Sequence, residues 1–309
     1  MQIESLTAAA VSDVARLCAG ELVLDHDAAS LPAMLLRSPR IGLIARHDGT
    51  IVGACLGSVS APAEDRTDGF IDLIVVSRSA QRQGAGRLLL TTMEAEIAAR
   101  GCRQISIGGH VPHYAWPGID LHYTAAICLA DDLGYRRQGC EVNMDIDLRS
   151  APLDTAAGEA TLRAAGVEVR AAGPADDGPL QQALTGTWWP AWITELTAAL
   201  RDERAGIQIA MADGTCVGFC AYGLNRPGDV GPIGTHPDWR SRGVKAVLLK
   251  RSLADQRSRG LDAAELIWAG PLSWFSRTVG ATIGRAFWGY RKDLDAPDEP
   301  DWRDRIGLV

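Results

Sequence analysis

Val75-Val76-Ser77-Arg78-Ser79-Ala80-Gln81-Arg82-Gln83-Gly84-Ala85-Gly86 is the stretch on which the fold of this chain turns. The apolar run ending in Val75-Val76 predicts a buried strand, and the polar residues after it predict a loop. Leu89, Met93 and Ile97 then recur at every fourth position and predict a helix from about Ala85 to Arg100, closed by Gly101. A helix start leaves backbone N–H groups unpaired at the positive end of the helix dipole. Glycines there let the main chain approach a ligand that a Cβ would hold off. Such an element is an anion cradle suited to a pyrophosphate, with Arg82 and Arg87 at its rim. Glycines alone also fit a plain strand–helix turn.

The stretch occurs twice. Gln81 to Gly86 returns, less closely, as Arg240-Ser241-Arg242-Gly243-Val244-Lys245, and Gly243 follows Gly84 by 159 residues. Asp48-Gly49-Thr50-Ile51-Val52-Gly53 returns as Asp213-Gly214-Thr215-Cys216-Val217-Gly218, and Arg100-Gly101 as Arg259-Gly260. Short matches in one order at nearly one offset mark a duplicated unit. The first copy reads as a helical start over Thr7–Leu17, then strands Ile41–Ala45 and Ile51–Val59 joined by the hairpin signal Asp48-Gly49. Strand Phe70–Val76, the helix, strand Gln104–Ile107, helix Leu121–Leu133 and strand Tyr135–Leu148 follow. The second copy reads Val167–Ala171, a Trp-rich helical region over Trp188–Leu200, Ile207–Met211, Cys216–Tyr222 and Val230–Thr235. Helix Val244–Arg259, strand Ala264–Trp268, a short helix and a last strand near Ala286–Lys292 complete it. The expected domains are 1–149 and 160–309, joined by the exposed linker Arg149–Gly158, with Asp295–Asp304 as an extension.

Composition agrees with two globular units. A length of 309 residues with 47% hydrophobic content supplies two cores. The net charge of −7 offers no global field for phosphate backbones or anionic lipid, which disfavours nucleic-acid and membrane partners. Seven cysteines without framework spacing predict reduced thiols and a cytoplasmic protein, and Cys216 and Cys220 read as small core residues. No apolar run approaches the roughly 18 residues of a membrane span.

Gln81, Gly84 and Gly86 also meet a family pattern: Gln or Arg, two residues, Gly, any residue, Gly or Ala. The stretch resembles the acyl-CoA loop of the GCN5-related N-acetyltransferases (GNAT), and the element order of both copies fits that family. The resemblance implies an α/β (α+β) fold, a mixed, mostly antiparallel sheet flanked by helices and splayed at its centre, with two such units forming a pseudo-dimer. It implies acetyl-CoA as co-substrate, lying between the strand that ends at Val76 and strand Gln104–Ile107. Ile74, Val75 and Val76 would bind the pantetheine, and backbone groups of Gln81, Arg82, Gln83, Gly84, Ala85 and Gly86 the pyrophosphate. Thr124 takes the place of an Asn that often contacts CoA in relatives. A neutral amine would attack the thioester directly, with a backbone N–H near Val76 stabilising the oxyanion. In the second copy Arg240, Arg242 and Gly243 are the cofactor candidates, but Lys245 stands where Gly or Ala is expected. Its side chain either crowds the pyrophosphate or points outward, so catalysis is expected in the first copy.

An attacking amine must shed a proton. Relatives often use an acidic residue on the strand before the loop, which points to Asp72, on one face with Ile74 and Val76 by alternation. A carboxylate in so apolar a strand needs a partner or a wet cleft, so a structural role stands beside the catalytic one. The second copy has Asp229, two positions off. The tyrosine acid of many relatives is missing, since Ala130 precedes Gly134-Tyr135 and Phe275 lies nearest Gly280-Ala281. The segment from His110 to Tyr123 is expected to line the acceptor pocket, with Tyr123 and His113 as candidates for proton transfer. Asp120 reads either as part of that cluster or as a helix cap. Trp188, Trp189 and Trp192 read as packing residues or as an aromatic wall. The expected acceptor is a small-molecule amine and the expected assembly a monomer or homodimer, without metal. The alternatives are a CoA-binding scaffold and a protein N-acetyltransferase.

Overall fold

A computed structural model describes residues 1–60, 67–185, 187–188 and 191–295. Trp189 and most of the extension Asp295–Asp304 therefore lie outside the described residues. The chain divides into two compact units, one of Met1–Glu141 with Phe287–Val309, the other of Val142–Ala286.

The first unit begins with β1 (Gln2–Ser5), α1 (Val11–Glu21), α2 (Leu31–Leu35), β2 (Ile41–His47), β3 (Thr50–Val59) and β4 (Asp68–Val76). It continues with α3 (Ala85–Ala98), β5 (Gln104–Ile107), β6 (Ile119–Asp120), α4 (Thr124–Asp132) and the start of β7 (Arg136–Asp147). Strands β1 to β4 are antiparallel neighbours, and β5 lies parallel to β4. Alternation divides the strand side chains between two cores. Leu43, Cys55 and Ile71 pack under α3 with Leu89, Met93 and Ile97. Ile44, Leu56, Leu73 and Val75 pack under α1 and α2 with Val14, Cys18, Leu31 and Leu35. Each such buried aliphatic side chain contributes about 2 kcal/mol.

The second unit holds α5 (Ala156–Ala164), β8 (Val167–Ala171), α6 (Asp177–Leu184), α7 (Ala191–Ala199), β9 (Gly206–Ala212), β10 (Thr215–Tyr222) and β11 (Asp229–Thr235). Then come α8 (Val244–Ser258), β12 (Ala263–Leu266), α9 (Leu272–Val279) and the start of β13 (Thr282–Asp293). Strands β8 to β11 are antiparallel neighbours and β12 is parallel to β11. The turns repeat those of the first unit in detail. Asp48 and Asp213 both take φ +48, and Gly84 and Gly243 both take φ +86 with ψ −5.

Each unit is completed by a strand from the other half of the sequence. Residues Met144 to Asp147 of β7 pair antiparallel with Leu266 to Ala263 of β12, within the second unit. Residues Tyr290 to Asp293 of β13 pair antiparallel with Ile107 to Gln104 of β5, within the first. Lys292 Nζ clips that strand to Glu94 Oε2 of α3 at 2.9 Å. The compact units thus differ from the contiguous halves 1–149 and 160–309, because alternation predicts a strand but not its partner. Two smaller differences have local causes. The expected linker Arg149–Gly158 runs into the first residues of α5, which begins at Ala156 in an alanine-rich segment of high helix propensity. The helix expected from Leu121 starts at Thr124, because Ile119 and Asp120 are paired with Trp288 and Phe287.

Candidate functional site

Pairing between β4 and β5 reaches Ile71 and Ile107, and Gly108 N still donates to Ile71 O at 3.2 Å, but β4 runs on to Val76. The two strands part there and leave an opening. Ser77 N donates to Val52 O of β3 at 2.8 Å. By alternation the main-chain groups of Val76 and Ile74 face the other way, into the opening. Gln81 Nε2 donates to the Val76 carbonyl at 3.1 Å and fixes the strand end. Val75 instead sends its side chain into the core beneath α1.

Past Ser77 the chain makes a single turn over Arg78–Ala80, Arg82 takes φ +58, and Gly84 enters α3 at φ +86. A Cβ on Gly84 would meet nothing within 4 Å, so its left-handed φ requires glycine and the space beside it is open. Gly86 answers to packing. A Cβ there would stand 3.0 Å from Leu129 Cδ2 of α4 and 3.7 Å from Val76 Cγ2. Leu88 N donates to Gly84 O at 2.9 Å, so the N–H groups of residues 84–87 precede the helical ladder. Gln83 Nε2 donates to Ser79 O at 2.8 Å, and Arg78 N to Glu21 Oε1 at 2.8 Å, which hold the loop in shape. Arg82 and Thr124 are exposed, and the Ala85 methyl is buried.

Asp72 is the extra residue of a β-bulge, since Leu56 faces Leu73 but Gly57 faces Ile71. Its carboxylate is shut from solvent, with Oδ2 3.0 Å from the equally buried Nε of Arg40. Burial pushes Asp72 up to about 7 against the opposing pull of Arg40, with Ser58 and the His110 backbone adding to that pull. Arg40 Nη2 donates to the carbonyls of His113 (2.6 Å) and His110 (3.4 Å). His113 is buried, and its Nδ1 lies 2.5 Å from Ser38 Oγ. The His110 ring stacks on Phe70 at 4.4 Å, and burial, then Arg40, holds it down to about 4, so it is neutral at pH 7. Tyr123 belongs to a second polar group. Its hydroxyl lies 3.4 Å from Asp25 Oδ2, and Trp116 Nε1 donates to Asp25 Oδ1 at 3.0 Å. Asp120 is not the cap of α4. It ends β6, accepts from His122 N at 2.8 Å and lies 2.7 Å from His122 Nδ1.

The second unit repeats the frame without these side chains. Ala212 follows His47 by 165 residues at the same hairpin, and that offset puts Ala205 in the place of Arg40. The bulge recurs, with Cys220 facing Ile233 and Tyr222 facing Val230. Gly231, at φ +142, takes the place of Asp72. Asp229 stands where Phe70 does. It is buried and accepts from the N–H groups of Leu224 (3.0 Å), Asn225 (3.1 Å) and Arg226 (3.1 Å), so it holds a turn, with burial pushing its carboxyl up to about 6. Arg242 lies over the Trp239 ring at 4.8 Å. Lys245 neither points outward nor stands free at the helix start. Its Nζ lies 4.4 Å from the Trp274 ring and 4.6 Å from that of Phe275 on α9, and burial lowers its pKa. Trp188 and Trp192 pack edge-on against Phe219 at 5.4 and 5.8 Å, a core role.

Among the described residues no helix is long and apolar enough to cross a membrane. Residues 9–115 match the family model of the Acetyltransferase (GNAT) family. No curated protein matches the chain. Solved structures share the fold across nearly its whole length. The GCN5-related glucosamine N-acetyltransferase region of a fungal multi-domain GH3 β-N-acetylglucosaminidase superposes with a TM-score of 0.80 at 15% identity, over 94% of this chain but 38% of that one. A GCN5-related N-acetyltransferase from Sphaerobacter thermophilus gives 0.69 at 18% identity, over 97% and 98%. A tandem GNAT protein from the clavulanic acid biosynthesis pathway gives 0.70 at 15% identity, over 96% and 99%. At such identities the likeness is one of fold.

Proposed function

We propose that the first unit, whose residues 9–115 match the GNAT acetyltransferase family model in a chain that shares its fold with a tandem GNAT protein, transfers an acetyl group from acetyl-CoA to the amine of a small molecule. The observation that carries the reading is a coincidence of parts. The strand opening, the open-sided Gly84 turn and a buried carboxyl raised to about 7 occur together in one unit. The residues fit the coenzyme. Main-chain groups of Ile74 and Val76 would hold its pantetheine arm, and the N–H groups of residues 84–87 its pyrophosphate. When bound, acetyl-CoA supplies an acyl group activated for attack by a neutral amine.

Asp72 takes up the proton that the amine must lose, since a group titrating near neutrality is matched to that task. His110, neutral at pH 7, adds no opposing charge. His113 is held to Ser38 and Tyr123 to Asp25, so both orient the acceptor segment. The net charge of −7 favours a cationic acceptor over an anionic one. Lys245, Ala205 and Gly231 favour a second reading for the second unit alone, a structural partner without turnover.

Calorimetry with acetyl-CoA, followed by thiol release against a panel of small amines and a panel of peptides, tests this. One equivalent bound and thiol released with a small amine is the expected result. No uptake would remove the functional reading, and turnover with peptides alone would reassign the acceptor.

A further inference from the structure

Resting on the reading just given, we infer that Arg40 is a positioning residue, which fixes Asp72 and the His110–His113 segment in one arrangement for acyl transfer. Its guanidinium serves two elements at once. Nε faces the Asp72 carboxylate at the bulge of β4, at 3.0 Å. Nη2 reaches the carbonyls of His113 and His110, in the segment that follows β5. Ser38, two residues earlier, holds the ring of His113. Two residues just ahead of β2, Ser38 and Arg40, thus tie the acceptor segment to the strand that presents the proton acceptor. A lysine has a single point charge and cannot span both sets of partners.

The second unit shows that the fold does not need this pair. There the bulge persists with Gly231 and Ala205 in place of Asp72 and Arg40, so both charges are dispensable to the frame. Burying two charges is costly, and the frame of the second unit holds without them. The groups facing Asp72 are Arg40 ahead of β2, Ser58 and Cys55 on β3, and His110 in the segment after β5. Arg40 is the cation among them and the strongest opposing group, so its removal leaves only the weaker Ser58 and His110 backbone hydrogen bonds against burial, and Asp72 rises further.

The test compares Arg40→Met, Arg40→Lys and the double variant Arg40→Ala with Asp72→Gly, which copies the second unit and keeps the frame if either single variant misfolds. For each, acetyl-CoA affinity, the pH profile of kcat/KM and the ring titration of His110 by NMR are measured. Arg40→Met is expected to bind acetyl-CoA within about twofold of wild type and to lose about 100-fold in kcat, a general-base-sized effect. Its acidic limb moves to higher pH, and His110 titrates higher, because Arg40 no longer opposes its protonation. Arg40→Lys recovers part of the kcat loss, and the double variant binds acetyl-CoA without turnover. An unmoved pH limb and an unmoved His110 titration in an active variant would overturn the inference alone. A wild-type chain that turns over no amine would overturn the functional reading, and the inference with it.

Discussion

Gly84 and Gly243 enter their helices with the same φ and ψ, and the bulges of β4 and β11 fall on the same rung of their ladders. On that shared backbone the first unit places a buried Arg40–Asp72 pair, whereas the second has Ala205 and Gly231. Where the first has Gly86 between α3 and Leu129, the second lays Lys245 against Trp274 and Phe275. Main-chain geometry and side-chain chemistry have separated here. A helix start with the right φ marks the fold, and the side chains around it are where the two copies part.

The largest expected effect breaks the comparison at its chemical end. Asp72→Asn should lower kcat by about 100-fold or more while acetyl-CoA affinity holds, because only proton uptake is removed; Asp229→Asn should leave kcat in place and lower the melting temperature. Equal kcat losses in both variants would contradict the asymmetry. The next effect compares the two glycines. Gly84→Val and Gly243→Val each force a β-branched residue to φ +86, costing about 1–2 kcal/mol of stability. Both should melt earlier by a similar amount, but only Gly84→Val should weaken acetyl-CoA binding, by about tenfold, the scale of one lost charge-assisted hydrogen bond. A similar loss in Gly243→Val would make the second unit a binding site.

Lys245→Met tests the second pocket more gently. The stacked ammonium contributes about 1 kcal/mol, offset in part by the desolvation that lowers its pKa. Stability should change little, and acetyl-CoA stoichiometry should stay at one, read by calorimetry. The last effect is in pH. Asp72 binds its proton more tightly folded than unfolded, so it favours the fold below about pH 4 and that contribution is lost as pH rises to about 7. The melting temperature of Asp72→Asn should therefore vary less than wild type between pH 4.5 and 7.

What the sequence shows of all this is what is local. The Asp-Gly hairpins, the Gly84 turn and the helix after it are written in contiguous residues, and so is their repetition. Asp72 is visible as a charge in an apolar strand. Arg40 and Asp25 are not, since an arginine after Ser38-Pro39 and an aspartate in a loop look like surface residues until the chain folds over them. Gly86 satisfies the loop pattern, yet its cause is the approach of α4, which no spacing reveals. The partners of β7 and β13 are hidden for the same reason. The alternation of Val142, Met144 and Ile146 with polar residues states that a strand exists and leaves its neighbour open.

That pairing has a genetic consequence. A stop codon or recombination event between the two repeats would strand each product without its closing strand, leaving β5 or β12 with a bare edge of the kind that draws other chains into aggregates. Duplicated genes commonly shed a copy once it falls idle. Here deletion of either repeat would remove the strand that completes the other's sheet, so neither could be shed without baring an edge.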